Sequence, residues 1–328
     1  MLIKLAKAVA IAVLAISAGA TADAQSIKGT IALSGQTQAI AVNFLNNRVY
    51  VAIPGSGPTD LLAIIDGKSD SLLSSIDIPP VGHYVAVDVI RDVIYVGGCN
   101  TASSGSQECD VAVVNGSTNR VERTIPVTTT EGLGIEGIAV NPLTGKVYIV
   151  NASDNVIDVI HWRGTKVQTT IAVSESPLGV SVNPFKNQLY VALSNGSVDV
   201  IDAEKDTITT TTLVGGSNAG IATNWVTGNV FVTNNSFGPS TTSVLDNKGN
   251  VLANIEVGST PYGVDVDFGT NLAFVANTQD NTVSVIDGAT NTVSSTVPVT
   301  GLYVAVNPAT EKVYVSGLNN SVTVLNEK

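Results

Sequence analysis

One unit recurs seven times along this chain, and it limits the fold more than any other feature. A short apolar strand closes on Asn or Asp at Asn43, Asp88, Asn141, Asn183, Asn224, Asp267 and Asn307, at steps of 45, 53, 42, 41, 43 and 40 residues. The stretch 261–299, PYGVDVDFGTNLAFVANTQDNTVSVIDGATNTVSSTVPV, shows the content of one copy. Its alternation predicts four strands, at 263–267, 272–276, 282–287 and 292–299, separated by turns rich in Asn, Asp, Gly and Thr. A single copy of this size cannot bury both faces of its sheet, so neighbouring copies must cover them.

The copies share further positions. The second strand carries one aromatic each time, at Tyr50, Tyr95, Tyr148, Tyr190, Phe231, Phe274 and Tyr314, which at a fixed strand position is a packing device between adjacent sheets. The third strand ends at Asp66, Asn115, His161, Asp202, Asp246, Asp287 and Asn326. The fourth, as at 72–78, 121–127, 207–214 and 292–299, is rich in Ser and Thr and suits an edge exposed to water. Four-stranded sheets repeated radially every ~40–45 residues are the pattern of a β-propeller. The expected fold is all-β, a single seven-bladed β-propeller over 25–328 with repeats starting near 35, 80, 131, 174, 215, 258 and 300. The last copy stops after three strands at Lys328, and 26–33 (SIKGTIAL) alternates like a missing fourth strand. The N-terminal strand is therefore expected to complete the last blade and close the ring.

Three runs carry a family resemblance: Val147-Tyr148-Ile149-Val150-Asn151, Leu272-Ala273-Phe274-Val275-Ala276-Asn277, and 283–292 (VSVIDGATNT). They resemble the YVTN family of β-propeller repeats, and the likeness spans essentially the whole chain after its first 24 residues. The resemblance implies the propeller fold and an exported or cell-surface setting. Much of that family has no assigned activity, so it supplies no catalytic residue to carry over.

The start of the chain reads as an address. Met1 to Lys7 is short and basic, Ala8 to Ala18 is apolar but too brief to span a bilayer, and Ala22-Asp23-Ala24 offers a small-x-small cleavage site. Residues 1–24 are expected to be a signal peptide, no later segment reaches transmembrane length, and the remainder is expected to be periplasmic or extracellular. Removing Lys4, Lys7 and Asp23 takes away a net +1, so the formal −11 becomes −12. An acidic surface repels phosphate backbones, which argues against nucleic acid as a partner. Cys99 and Cys109, with nine residues between them in a Gly/Ser-rich stretch, are expected to form a local disulfide in an oxidising compartment.

In a propeller with this strand order, the second-to-third and fourth-to-first connections share one face, here the top. The longer insertions fall there: 54–60, the Cys99–Cys109 loop, 128–133 and 237–240. The first strands also begin at that face. There the Pro-x-Gly of Pro177-Leu178-Gly179 and Pro261-Tyr262-Gly263 gives way to Gly82-His83-Tyr84, Ile135-Glu136-Gly137 and Gly301-Leu302-Tyr303. Five of the eight tyrosines belong to the second-strand stripe, and the other three, Tyr84, Tyr262 and Tyr303, all fall at this mouth. With His83 and Glu136 they make a candidate site for a small polar ligand or a peptide end. The competing reading is that they plug a narrow channel.

Chemistry beyond binding finds little support. No Gly-x-Ser-x-Gly elbow, Walker loop or His-Glu-x-x-His is present. The repeat frame sets His83 and His161 on opposite faces, so they share no metal or dyad, and no cofactor or metal site is expected. Asp265 and Asp267 alternate to one face and leave an axial calcium open, though Asp267 ends its strand at the bottom turn. The functional expectation is a non-catalytic binding or scaffold propeller that meets a small polar ligand, a peptide or a cell-envelope protein through its top face. The alternative is a lactonase-like hydrolase or lyase using His83, Tyr84 and Glu136 at the channel mouth.

Overall fold

The computed structural model describes residues 25–101, 107–127, 129–130, 132–235, 240–317 and 319–327. The expected signal peptide, the tip of the Cys99–Cys109 loop and most of the 237–240 insertion lie outside them. Among the described residues every regular element is a strand, and the strands form seven four-stranded antiparallel sheets. Blade one runs Ile40–Asn43, Arg48–Ile53, Asp60–Asp66 and Ser71–Ile78 from the axis outwards, and blades two to six repeat that order. The seventh takes three strands from the end of the chain, Tyr303–Asn307, Lys312–Ser316 and Ser321–Asn326, and its outermost strand, Ser26–Ala32, from the beginning. This is a seven-bladed β-propeller closed by its N-terminal strand.

The seven second-strand aromatics are fully buried, Tyr50 through Tyr314 at 0% exposure. Each sits in a cluster that joins two consecutive blades: Tyr95 packs with Ile138 and Val147, Tyr148 with Val182 and Leu189, and Tyr314 with Val49 and Ile40 across the closing seam. Burying one such ring contributes roughly 1.5–3 kcal/mol, and here each contribution is shared by two blades. The outer strands are mostly exposed, as in Thr207–Leu213 and Val251–Glu256.

Local chemistry fixes the bottom turns. The Asn or Asp closing each inner strand accepts N–H bonds from the next turn, as Asn141 Oδ1 does from Leu143 (3.0 Å) and Asp267 Oδ1 from Thr270 (3.1 Å). The residue that leads into the second strand takes a left-handed conformation at Asn47, Asp92, Asn187, Asn271 and Glu311, φ 51–61°. Asn and Asp tolerate that region, Glu less so. The same Asx side chains also latch blades: Asn43 Nδ2 donates to Asp92, Asn141 to Asn187, Asn224 to Asn271 and Asn307 to Asn47, all at 2.7–2.9 Å.

Ring closure has its own fastening. Ser26 pairs with Asn326 through to Ala32 with Ser321, with one register shift between Ile27 and Gly29, and Leu33 N–H donates to Asn320 O at 2.8 Å. Asp70, in a bottom turn of blade one, accepts from Lys28 at 2.5 Å, from Lys312 at 2.8 Å and from Tyr314 Oη at 3.2 Å, all on blade seven. In blade two the second and third strands lengthen to Val93–Thr101 and Gln107–Asn115, and Cys99 and Cys109 stand directly opposite each other and are disulfide-bonded. The pair is therefore on a hairpin that outgrows its blade rather than in a free loop. Cys99 Sγ also accepts the Ile135 N–H at 3.2 Å, which ties the hairpin to the start of blade three. Among the described residues no helix is long and apolar enough to cross a membrane.

Candidate functional site

The inner strands surround an axial channel, and counting back from each closing Asn or Asp sorts its walls into rings. Four residues back stand Ala39, Tyr84, Gly137, Gly179, Gly220, Gly263 and Tyr303, all lining an upper chamber of about 160 Å³. Glycine is required where strands crowd: a Cβ on Gly220 would lie 2.2 Å from Tyr262 O, and one on Gly263 2.6 Å from Leu302 O. Blades two and seven carry tyrosine there instead, and Glu136 and Tyr262 enter from one position earlier. Tyr84 Oη donates to Glu136 Oε2 at 2.6 Å, and the rings of Tyr262 and Tyr303 meet edge to face at 5.4 Å.

Burial, with the neighbouring phenols and Glu136, pushes the hydroxyls of Tyr84 and Tyr303 far up, so both stay neutral donors at any working pH. Burial also raises the carboxyl of Glu136, and the Tyr84 hydrogen bond offsets part of that rise. Four of the five residues singled out from sequence thus meet in one chamber. His83 is placed differently: its ring lies over Gly98 of the second strand, where an added Cβ would come within 2.7 Å of Cδ2. It does not line the chamber.

Below the mouth, three residues back, Ile40, Ile138, Val180, Ile221, Val264 and Val304 form an apolar waist that borders both this chamber and a second one. The lower chamber, about 280 Å³, is ringed by the residues two before the closing Asx: Ala41, Ala86, Ala139, Ser181, Ala222, Asp265 and Ala305. Six are small, and the seventh is a carboxylate. The residues just after the Asx build a floor, where Phe44, Trp225 and Phe268 touch. Trp225 stacks on Phe268 at 5.6 Å and 4°, and Phe44 stands edge-on to Phe268 at 5.6 Å. The repeat frame already placed these residues at bottom turns, but nothing in one repeat tells that seven such positions converge on the axis.

Asp265 and Asp267 do not act as a pair. Asp265 accepts the N–H of Val266 at 2.9 Å and of Val306, on the next blade, at 2.8 Å, whereas Asp267 caps its own turn. Among the described residues no group of three or more His, Cys, Asp or Glu could hold a metal ion. Of the top insertions, 54–60 is fastened by Asp60, which accepts from Gly55 at 2.7 Å and from Gly82 of blade two at 2.6 Å.

No family model matches this chain. No curated protein sequence matches it either. Among solved structures, it is similar to a chain of the hydrazine synthase of Kuenenia stuttgartiensis, with a TM-score of 0.75 over 94% of this chain and 97% of that one, at 18% identity. At that identity the likeness extends to the seven-bladed β-propeller fold and no further.

Proposed function

We propose that this chain is an exported recognition propeller, akin to the YVTN repeat proteins, that binds a small polar ligand or a peptide end in the upper chamber without turning it over. One observation carries the reading: the tyrosines outside the packing stripe converge with Glu136 in a single cavity at the mouth of the channel. A structural plug needs no carboxylate, and burying one costs free energy unless it serves a partner. Tyr84 already occupies Glu136 Oε2, and the Tyr303 hydroxyl is within hydrogen-bonding reach of Tyr262 and Tyr84, so the other carboxyl oxygen and the remaining lone pairs of these hydroxyls are the groups offered to a ligand bearing hydroxyl or amine donors. Export is supported by the basic-apolar leader of the sequence and by the Cys99–Cys109 disulfide, which an oxidising compartment permits.

The test is a thermal-shift panel of sugars, lactones, short peptides and cell-wall fragments against residues 25–328, run beside Glu136→Gln and Tyr84→Phe. A compound that stabilises the parent and loses at least tenfold in affinity in both variants supports the reading. A compound that binds parent and variants alike, or a lactone consumed by the parent, refutes it.

A further inference from the structure

We propose that the lower chamber of the channel is a second site, for a small organic monocation: an alkylammonium or quaternary ammonium group paired with Asp265 and seated on the Phe44–Trp225–Phe268 floor. The proposal does not depend on the upper chamber.

Asp265 is the odd member of its ring. Five sister positions are alanine and one is serine, so neither the fold nor the packing of an inner strand asks for a carboxylate there. Its two oxygens each accept one backbone N–H, from Val266 and Val306, which fixes the group and leaves one lone pair on each oxygen. Burial pushes the carboxyl up to about 6 and the nearby Asp267 adds to this, while the two N–H donors work against it. The group is therefore largely ionised at neutral pH. No lysine, arginine or histidine is among the groups that act on it. An ionised carboxylate inside an apolar ring is penalised until a cation joins it.

The surroundings choose the class of cation. A calcium ion takes six to eight oxygens and favours several carboxylates, and besides the single carboxylate of Asp265 the only side-chain oxygens in the lining are the hydroxyls of Ser181 and Thr223. Three touching aromatic rings suit the opposite kind of cation, weakly hydrated and soft, held against a π face. At about 280 Å³ the chamber lies just under the range that holds drug-sized molecules, which fits a group of a few carbons. Phe44 and Phe268 are buried, whereas Trp225 and Pro308, which also line the chamber, are partly exposed. An acidic chain also raises the local concentration of cations.

The experiment compares choline with 3,3-dimethylbutan-1-ol, its neutral isostere, by calorimetry on residues 25–328, with Trp225 fluorescence as an independent signal. The expected result is at least tenfold tighter binding of choline, quenching or shifting of Trp225, a loss of about fivefold or more in Trp225→Leu, and no binding in Asp265→Asn. Asp265→Asn would place an amide against a backbone N–H and could fail to fold; the ratio of choline to isostere on the parent then decides by itself. Equal binding of the two compounds overturns the proposal, as does binding of neither. A calcium chloride response stronger than that of choline, and lost in Asp265→Asn, overturns it in favour of a hard-cation site.

Discussion

Replacing Glu327 by Gln should stabilise this protein, and by more as the pH rises. Glu327 is fully buried at the seam of blades six and seven, its Oε1 accepting from Thr270 Oγ1. Its Oε2 and the Oδ2 of the buried Asp267 face no donor, and the two carboxyls are within hydrogen-bonding reach of each other. One proton between them satisfies both. Asp267 Oδ1 is already taken by the N–H groups of Gly269 and Thr270, so the shared proton bridges its Oδ2 and Glu327 Oε2. Burial, then the charge of Asp267, push Glu327 up to about 9. In the unfolded chain a glutamate titrates near ~4.3. Between those values the folded protein binds one proton more than the unfolded one, so stability is fully present below pH ~4.3 and drains away as pH rises towards 9, at about 1.4 kcal/mol per unit. At pH 7 the loss is about 3–4 kcal/mol. Glutamine mimics the protonated form, accepting from Thr270 and donating to Asp267, and takes up no proton. Glu327→Gln should therefore raise Tm at pH 7 by about 6 °C, at roughly 2 °C per kcal/mol for a chain of this length. Calorimetric melts of parent and variant from pH 5 to 9 should diverge steadily. A gap that does not change with pH, or a variant less stable at every pH above 6, would refute the shared proton.

Deleting 26–33 should remove the outer strand of blade seven and the Lys28–Asp70 bond, so that the truncated chain dimerises or melts at least 10 °C lower; an unchanged monomeric melt by light scattering and calorimetry contradicts this. Asp70→Asn should destabilise at neutral pH: burial raises the carboxyl, but Lys28 and Lys312 outweigh burial and hold it below the usual range. That contribution is present above ~3.9 and lost as pH falls through the folded value, so parent and variant melts should converge in acid. Among the packing tyrosines, the Tyr148 hydroxyl is buried without a partner while that of Tyr314 donates to Asp70. Tyr148→Phe should be neutral or stabilising by up to about 1 kcal/mol, and Tyr314→Phe should cost about 1–2 kcal/mol in urea unfolding; the reverse order would show that hydroxyl pairing does not decide these sites. Replacing both Cys99 and Cys109 by Ser should cost about 2–3 kcal/mol, the loop-closure entropy of a ten-residue separation, with the blade otherwise intact by circular dichroism.

The architecture was legible in the sequence because its causes are local and repeated. Alternation sets the strands, Asx and Gly chemistry sets the turns, and an unpaired 26–33 beside an incomplete last repeat tells how the ring closes. The convergence of Tyr84, Glu136, Tyr262 and Tyr303 was also legible, since each departs from the repeat at nearly the same register. His83 shares that register, yet its ring turns onto Gly98 of its own blade, a choice made by a side-chain rotamer and a neighbouring glycine. The lower chamber was hidden for another reason. Its ring and floor come from seven segments, each of which reads as an ordinary strand or turn.

What the sequence alone determined, then, is the repeat: seven blades, one buried aromatic per blade, turns built on Asn, Asp and Gly, and a local disulfide. What only the tertiary structure decided is which members of different repeats meet and in what charge state. Tyr84 reaches Glu136 across 52 residues, Asp265 reaches Val306 across 41, and Glu327 closes on Asp267 from the end of the chain. The physical reason is that periodicity fixes each residue's place within its blade, whereas proximity around the axis and loss of water depend on all seven blades being closed at once. Burial then moves the protons of Glu136, Asp265 and Glu327 away from where their residue types alone would leave them.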